Sequence, residues 1–371
     1  MTGFRDRFVC PDGHYLLSHS IGCLPRSAGE RLHRHYLEPW AHDGADTWRH
    51  WFEAIEQFRH YLGRVLHAEA PQFSPQSNVS SALTKIIHGL PPRPGRETIV
   101  LSERDFPTIG FVAAQARRVG YRLRFISRDE NVRDAAVWRA AIGDDTRIVC
   151  ATHVLSNTGE RLPVREIAAI ARERDAVSII DVAQSAGSVP IDLAAWRADF
   201  VIGSCVKWLC GGSGAGFLWG SPQALSDCEP IDVGWFSHAD PFEMDIRAFR
   251  YAGDARRFWG GTPSIAPFVT ANAGLETLLG IGIDAVITAN SRRVDLLLDN
   301  IPPACVRSPT DPAQRGGSVV VATADDEALA AALRAARIHY DQRADGIRLS
   351  PHIYNDDDDV LAAAACINGV R

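Results

Sequence analysis

Lysine is almost missing from this chain. Of its 39 basic residues only Lys85 and Lys207 are lysines, and the other 37 are arginines. Guanidinium supplies plain positive charge but keeps its proton, so a lysine retained in such a background is a candidate nucleophile. An excess of basic charge is lacking too. The formal net charge is −6 and the pI lies near 6.1, which argues against nucleic acid or an anionic membrane as main partner. No apolar run approaches the roughly 20 residues that cross a bilayer, and the opening MTGFRDRFVCPDGHY lacks a signal peptide's apolar core. The eight cysteines contain no CxxC pair, so neither a disulfide framework nor a zinc site is expected, and no other metal site is. Repeats and low-complexity tracts are absent as well. What is there, 371 residues at 46% apolar and 23% charged, reads as a cytoplasmic chain of about two domains.

The middle of the chain alternates short apolar runs with amphipathic stretches. Strands are predicted at Thr98–Leu101, Arg122–Ile126, Arg147–Thr152, Ala176–Ile180, Phe200–Ser204 and Gly216–Trp219, and helices at Pro107–Val119, Val132–Ile142 and Val164–Arg174. Such alternation predicts an α/β fold with a mostly parallel, helix-covered sheet, whose ligands sit at the carboxyl ends of strands. From about Ser264 the pattern changes to long helices, Ser264–Leu279 and Ile283–Leu298. Thereafter come strands at Ser318–Thr323 and Gly346–Leu349 and helices at Glu327–Ala336 and Asp358–Ile367. That is a smaller α+β region. The expected division is an N-terminal lead-in segment, 1–45, joining the small domain, then a large domain, 46–260, and a small C-terminal domain, 261–371.

Chemistry concentrates in residues 179–220. One apolar strand delivers Asp181 at its carboxyl end; another delivers Ser204 and, three residues on, Lys207, followed by the glycine-rich stretch Gly211–Gly216. These residues suit pyridoxal 5'-phosphate. A lysine amine holds the aldehyde as an imine, a carboxylate keeps the pyridine nitrogen protonated, a hydroxyl reaches phosphate, and glycines permit close backbone approach. Each residue also has a plainer reading, with Asp181 as a helix cap and Lys207 as a surface charge. The glycine spacing does not match GxGxxG, so a dinucleotide fold is set aside.

The run DVAQSAG…IDL…ADF…SCVKWL resembles the fold-type I pyridoxal phosphate enzymes of the aminotransferase class V family, which includes kynureninases, cysteine desulfurases and isopenicillin N epimerase. The similarity covers nearly the whole chain, and overall it is kynureninase-like. It extends through SIGCLP at Ser20–Pro25, SERDFPTIGF at Ser102–Phe111, HVLSNTG at His153–Gly159, GWFSH at Gly234–His238 and RADGIRLSPHIYN at Arg343–Asn355. The resemblance implies that Lys207 is the Schiff-base lysine and the proton shuttle at Cα, and that Asp181 pairs with the ring nitrogen. It implies further that Gln184 bonds the ring oxygen, Phe106 stacks on the ring, and Val79, Ser80 and Ser204 hold the phosphate. Thr262 would reach the neighbouring subunit's phosphate in a homodimer with shared sites. Arg348 would clamp the substrate α-carboxylate, with Ser156, Asn157 and Trp235 around the substrate. Taken singly, Ser80 could be an N-cap, Thr262 a helix start and Arg348 a strand-edge charge. Their common order around one lysine favours the site.

The family pattern is broken at several points. Kynureninases carry Tyr where Val206 stands, Asp where Ile109 stands, His where Gln184 stands and Asn where His19 stands. No cysteine lies between Val306 and Arg348, so the persulfide chemistry of desulfurases is not expected. The expected activity is Cα deprotonation of an α-amino acid, a small-molecule substrate, followed by cleavage at its β-carbon, as a lyase or hydrolase. Transamination and epimerisation share the first step, and a cofactor-holding protein without turnover is the remaining alternative. Efficient kynurenine hydrolysis is not expected.

Overall fold

The computed structural model describes residues 4–370. Seven runs pair into one sheet: β1 (Phe73–Gln76), β2 (Thr98–Ser102), β3 (Arg122–Ile126), β4 (Thr146–Thr152), β5 (Val177–Asp181), β6 (Phe200–Ser204) and β7 (Gly216–Gly220). They lie in the order β1-β7-β6-β5-β4-β2-β3. Neighbours from β3 to β6 are parallel, while β7 runs antiparallel to both β6 and β1. β2 and β4 are buried along their whole length, which is why they read as continuous apolar runs rather than as alternations.

The pleat still sorts their side chains into two layers. Val100, Val149, Ala151, Ile180 and Val201 face one apolar layer, and Ile99, Leu101, Ile148, Ile179 and Ile202 face the other. Helices α1 (Thr47–Leu66), α4 (Val164–Glu173) and α5 (Ala266–Ile281) close the first layer with Phe58, Ile167 and Phe268. Helices α2 (Val79–Gly89) and α3 (Pro107–Gln115) close the second with Leu83, Ile86, Ile109 and Ala113. Both faces of the sheet are thus covered.

A second sheet of three antiparallel strands, β8 (Val319–Val321), β9 (Asp341–Arg343) and β10 (Gly346–Leu349), has the order β8-β10-β9. It packs with α6 (Ile283–Asp299), α7 (Asp326–Ala335) and α8 (Asp357–Gly369) around Val294, Leu297, Leu333, Leu349 and Val360. The acidic run at Asp356–Asp359 starts α8, where the Asp356 carboxylate accepts from the Asp359 amide. Helix α5, placed by the sequence pattern with the second region, shares its core with the large sheet: Phe268 meets Phe58 with ring centroids 4.9 Å apart. The lead-in segment docks on the small sheet's region. His14–Tyr15 pairs in parallel with Ile338–His339, and Leu17 bridges Ser350.

β4 and β5 end level, Thr152 pairing with Asp181, while β6 runs on past Ile202, the partner of Asp181, to Ser204. Loops leaving these ends face the small sheet. Among the described residues no single helix is long and apolar enough to cross a membrane.

Candidate active site

Asp181 ends β5 with its side chain buried. Its backbone oxygen accepts from the His153 amide at 2.9 Å, and its Oδ1 accepts from the Ala183 amide at 2.8 Å. Burial raises its pKa, opposed by that amide and by the Lys207 charge. Lys207 shows the mirror image: burial lowers its pKa, and Asp181 pulls it back up. Each group therefore feels the other's charge in poorly solvated surroundings. The Lys207 amine lies 5.7 Å from the Phe106 ring centroid, so the aromatic residue from the loop before α3 stands against the lysine.

The two lysines have opposite environments. Lys85 donates to the Phe258 carbonyl at 2.6 Å and the Trp259 carbonyl at 3.3 Å, with Asp232 at 3.3 Å. It is a tether. The Lys207 amine takes no hydrogen bond among the described residues, while its backbone is held firmly. The Lys207 carbonyl accepts from the Cys210 amide, and the Val206 carbonyl accepts from the Gly22 amide at 2.9 Å. A Cβ at Gly22 would lie 2.2 Å from the Lys207 carbonyl oxygen, so only glycine lets the lead-in segment press against this loop.

The amino end of α2 meets β6 and β7 beside this pair. Asn78 caps the helix by accepting from the Ser81 amide at 2.8 Å. That leaves the first two amides, Val79 and Ser80, without an acceptor among the described residues. Ser204 lies opposite Gly216 across the strands, and a Cβ at Gly216 would come within 3.0 Å of the Asn78 Cα. The result is a seat of amides and a hydroxyl at a helix N-terminus, suited to a phosphate. Together with Lys207 and Asp181, these unsatisfied amides fit pyridoxal 5'-phosphate.

Gln184 is fully buried between three parts of the chain. Its Nε2 donates to the His19 carbonyl at 3.0 Å, and its Oε1 accepts from Trp208 Nε1 at 3.0 Å. One amide hydrogen is left for a ligand. Arg348 is also buried, reaching from β10 to the loop after β4: its Nη1 donates to the Ser156 carbonyl at 2.6 Å and Oγ at 3.0 Å. Its Nη2 donates to Asp341. Ser156 is thus joined to Arg348, whereas Asn157 lines a neighbouring cavity of about 340 Å³ with Arg104, Arg128 and Asp345. Trp235 and Thr262 belong to a different group. They bond each other, Trp235 Nε1 donating to Thr262 Oγ1 at 3.2 Å, within an aromatic cluster that includes Trp48 and Phe236.

Three polar residues here escaped the sequence reading. Asp105, next to Phe106, accepts from Thr152 Oγ1 at 2.6 Å and is pushed up to about 6 by desolvation, with Asp181 adding to the rise. The signal was its place beside FPT. His19, noted only as a departure, has its Nδ1 on Ser350 Oγ and is pushed down to about 4, chiefly by burial. Asp341 carried no signal beyond lying one hairpin from Arg348. Ile109, where kynureninases carry Asp, lies in the core under α3 with 2% exposure. Asp105 supplies a carboxyl group on that side.

Solved structures share this fold. C-DES, solved as a cystine C-S lyase with its product cysteine persulfide, superposes with a TM-score of 0.86 at 23% identity, covering 97% of this chain and 98% of its own. A C-DES mutant with glycine linked to its PLP cofactor reaches a TM-score of 0.89, also at 23% identity and over 100% of both chains. The fold is that of the fold-type I pyridoxal phosphate enzymes. The chain belongs to the aminotransferase class-V family, whose profile matches residues 32–362. It is 31% identical to a kynureninase of Deinococcus radiodurans over 83% of this chain and 76% of the relative. A kynureninase of Pseudomonas fluorescens is 28% identical over 86% of this chain and 79% of the relative. The protein is accordingly an enzyme dependent on pyridoxal 5'-phosphate.

Proposed function

We propose that this enzyme deprotonates an α-amino acid at Cα and cleaves a bond at its β-carbon. The observation that carries the reading is the buried Asp181 at the end of β5 with Lys207 just past the end of the adjacent parallel strand β6. Pyridoxal 5'-phosphate, when bound, supplies an aldehyde to take up an amine and a ring that withdraws electrons. Lys207 Nζ, with its proton affinity lowered by burial, would hold the group and would carry the substrate's Cα proton. Asp181 has one oxygen fixed by Ala183, which leaves the other to hold a proton at the ring nitrogen. The amides of Val79 and Ser80 and the Ser204 hydroxyl would hold the phosphate, Phe106 would lie against the ring, and Gln184 would bond its oxygen. Arg348, positioned by Ser156, receives the α-carboxylate, and Asn157 lies at the substrate's far side.

Cleavage at the β-carbon is supported by two kinds of relative, kynureninases by sequence and a C-S lyase by fold. Incubation with S-substituted cysteines should release pyruvate. Kynurenine and 3-hydroxykynurenine should yield anthranilates only slowly, because Val206 offers no hydroxyl beside the lysine and Gln184 replaces an ionisable ring. Anthranilate formation near the roughly ten turnovers per second typical of enzymes would make the protein a plain kynureninase. Accumulation of a keto acid with amino transfer to an acceptor would make it a transaminase.

The active unit in this reading is a homodimer with shared sites, in which Thr262 reaches the partner's phosphate seat and Trp235 holds Thr262 in place. The loop before Thr262 supports this, since Ile231, Phe242, Met244 and Ile246 are each more than 60% exposed, an apolar patch that a second copy would cover. Mixing Lys207→Ala protein with Thr262→Val protein should then restore activity above either parent. A monomer in solution, or mixtures no better than the parents, would exclude shared sites. All eight cysteines are free, which supports a reducing compartment such as the cytoplasm. In this reading the lead-in segment 1–45 stands as expected, while the large domain runs past residue 260 to include α5, whose Phe268 packs on Phe58, and the small domain begins after it.

A further inference from the structure

A fully buried guanidinium must be neutralised by something, because an unpaired buried charge costs several kcal/mol. Arg348 is 2% exposed, and Asp341 performs that task. The two are direct cross-strand partners on β10 and β9. Only one carboxylate oxygen is engaged: Asp341 Oδ2 accepts from Arg348 Nη2 and from Arg343 Nε at 3.0 Å, with His19 Nε2 at 3.7 Å from the same atom. With Nη1 committed to Ser156, the edge of Arg348 left for a bidentate carboxylate is Nε with Nη2. Nε is buried without an acceptor, and Nη2 is the donor that Asp341 holds.

An incoming carboxylate and Asp341 therefore compete for the same edge, and two carboxylates on one guanidinium repel each other. Arg343 offers a second seat. It lies two residues from Asp341 on the same face of β9, already touches Oδ2, and its side chain is 48% exposed, so it can follow the carboxylate outward. We propose that Asp341 is a resident carboxylate that neutralises Arg348 while the site is empty and passes to Arg343 when the substrate's α-carboxylate takes its place. It is a positioning residue that sets how tightly any amino acid binds. The proposal rests on the assignment of Arg348 to the α-carboxylate.

The test uses the cofactor-loaded protein, titrated with glycine and with L-alanine and followed by its visible absorption and by thermal unfolding. Asp341→Asn should bind both amino acids about fivefold more tightly, the scale of one partly exposed ion pair. Its ligand-free form should melt lower than wild type, and each amino acid should raise its melting temperature by more. Arg343→Gln, at an exposed position, should weaken binding severalfold, and that weakening should vanish in the Asp341→Asn background. Unchanged or weaker binding by Asp341→Asn, or an Arg343→Gln effect that persists in the double variant, overturns the proposal and leaves an ordinary cross-strand pair. Arg348→Gln separates the two layers of the argument. If it leaves binding unchanged, or if wild type gives no saturable response, the α-carboxylate assignment falls, and the proposal falls with it.

Discussion

Lys207→Ala should lower turnover by about ten-thousandfold or more, because it removes both a nucleophilic amine and a proton carrier, and each such role is worth orders of magnitude. The protein should still fold. Among the described residues the amine has no hydrogen bond to lose, and the loop is fixed through the Lys207 and Val206 carbonyls. Borohydride treatment of the loaded wild-type enzyme, followed by peptide mapping, should place the pyridoxyl label on Lys207. The near-absence of other lysines makes the result decisive, since Lys85 is the sole competitor. Its amine is committed to two carbonyls and Asp232. A label on Lys85 would overturn the site assignment. Burial lowers the Lys207 pKa, so its neutral, reactive form persists to lower pH than that of a solvated lysine, and labelling should too.

Asp181→Asn should keep the fold and bind cofactor, yet lose on the order of a hundredfold or more in turnover. An asparagine oxygen can still accept from the Ala183 amide, so the turn after β5 survives. A neutral amide cannot hold a proton on the ring nitrogen, and that is where the rate is lost. Asp105 gives the experiment a second edge. Its carboxyl group is pushed up to about 6 chiefly by desolvation, with the Asp181 charge adding a smaller part, so with that charge removed its pKa should fall only slightly. If turnover in Asp181→Asn stayed at the wild-type level, Asp105 would be the acid serving the ring, and Asp105→Asn would then be the damaging change.

The central strands were legible because burial on both faces writes an unbroken apolar run, as in TRIVCAT and VSIID. Helix ends were less so. The helix expected over Val132–Ile142 starts only at Ala135, where Asp134 accepts from the Ala136 amide. The 20-residue helix Thr47–Leu66 was not foreseen, since its aromatic, charged sequence hides an apolar stripe among Trp, His and Arg. At the site, Lys207 and Asp181 could be read from strand-end positions and from resemblance. The bonds of Gln184 could not, because its partners His19 and Trp208 lie 165 and 24 residues away. Asp341 looked like any hairpin acid; its meaning comes from facing Arg348 across two strands.

The docking of the lead-in segment governs when this site can come into being. His14 bonds Asp359, and Leu17 bridges Ser350, while Gly22 closes on the loop that carries Lys207. The first two contacts span more than 330 residues and the third 184, so during synthesis residues 14–22 leave the ribosome long before the segments that receive them. The large sheet can assemble in the meantime from its nearer neighbours, but the lysine loop stays unclamped and Arg348 does not yet exist opposite Ser156. Closure of such distant pairs comes late, after the entropy of a long loop has been overcome. A ribosome-bound chain can thus hold a finished sheet without being an enzyme, and catalytic competence arrives only with the far end of the polypeptide.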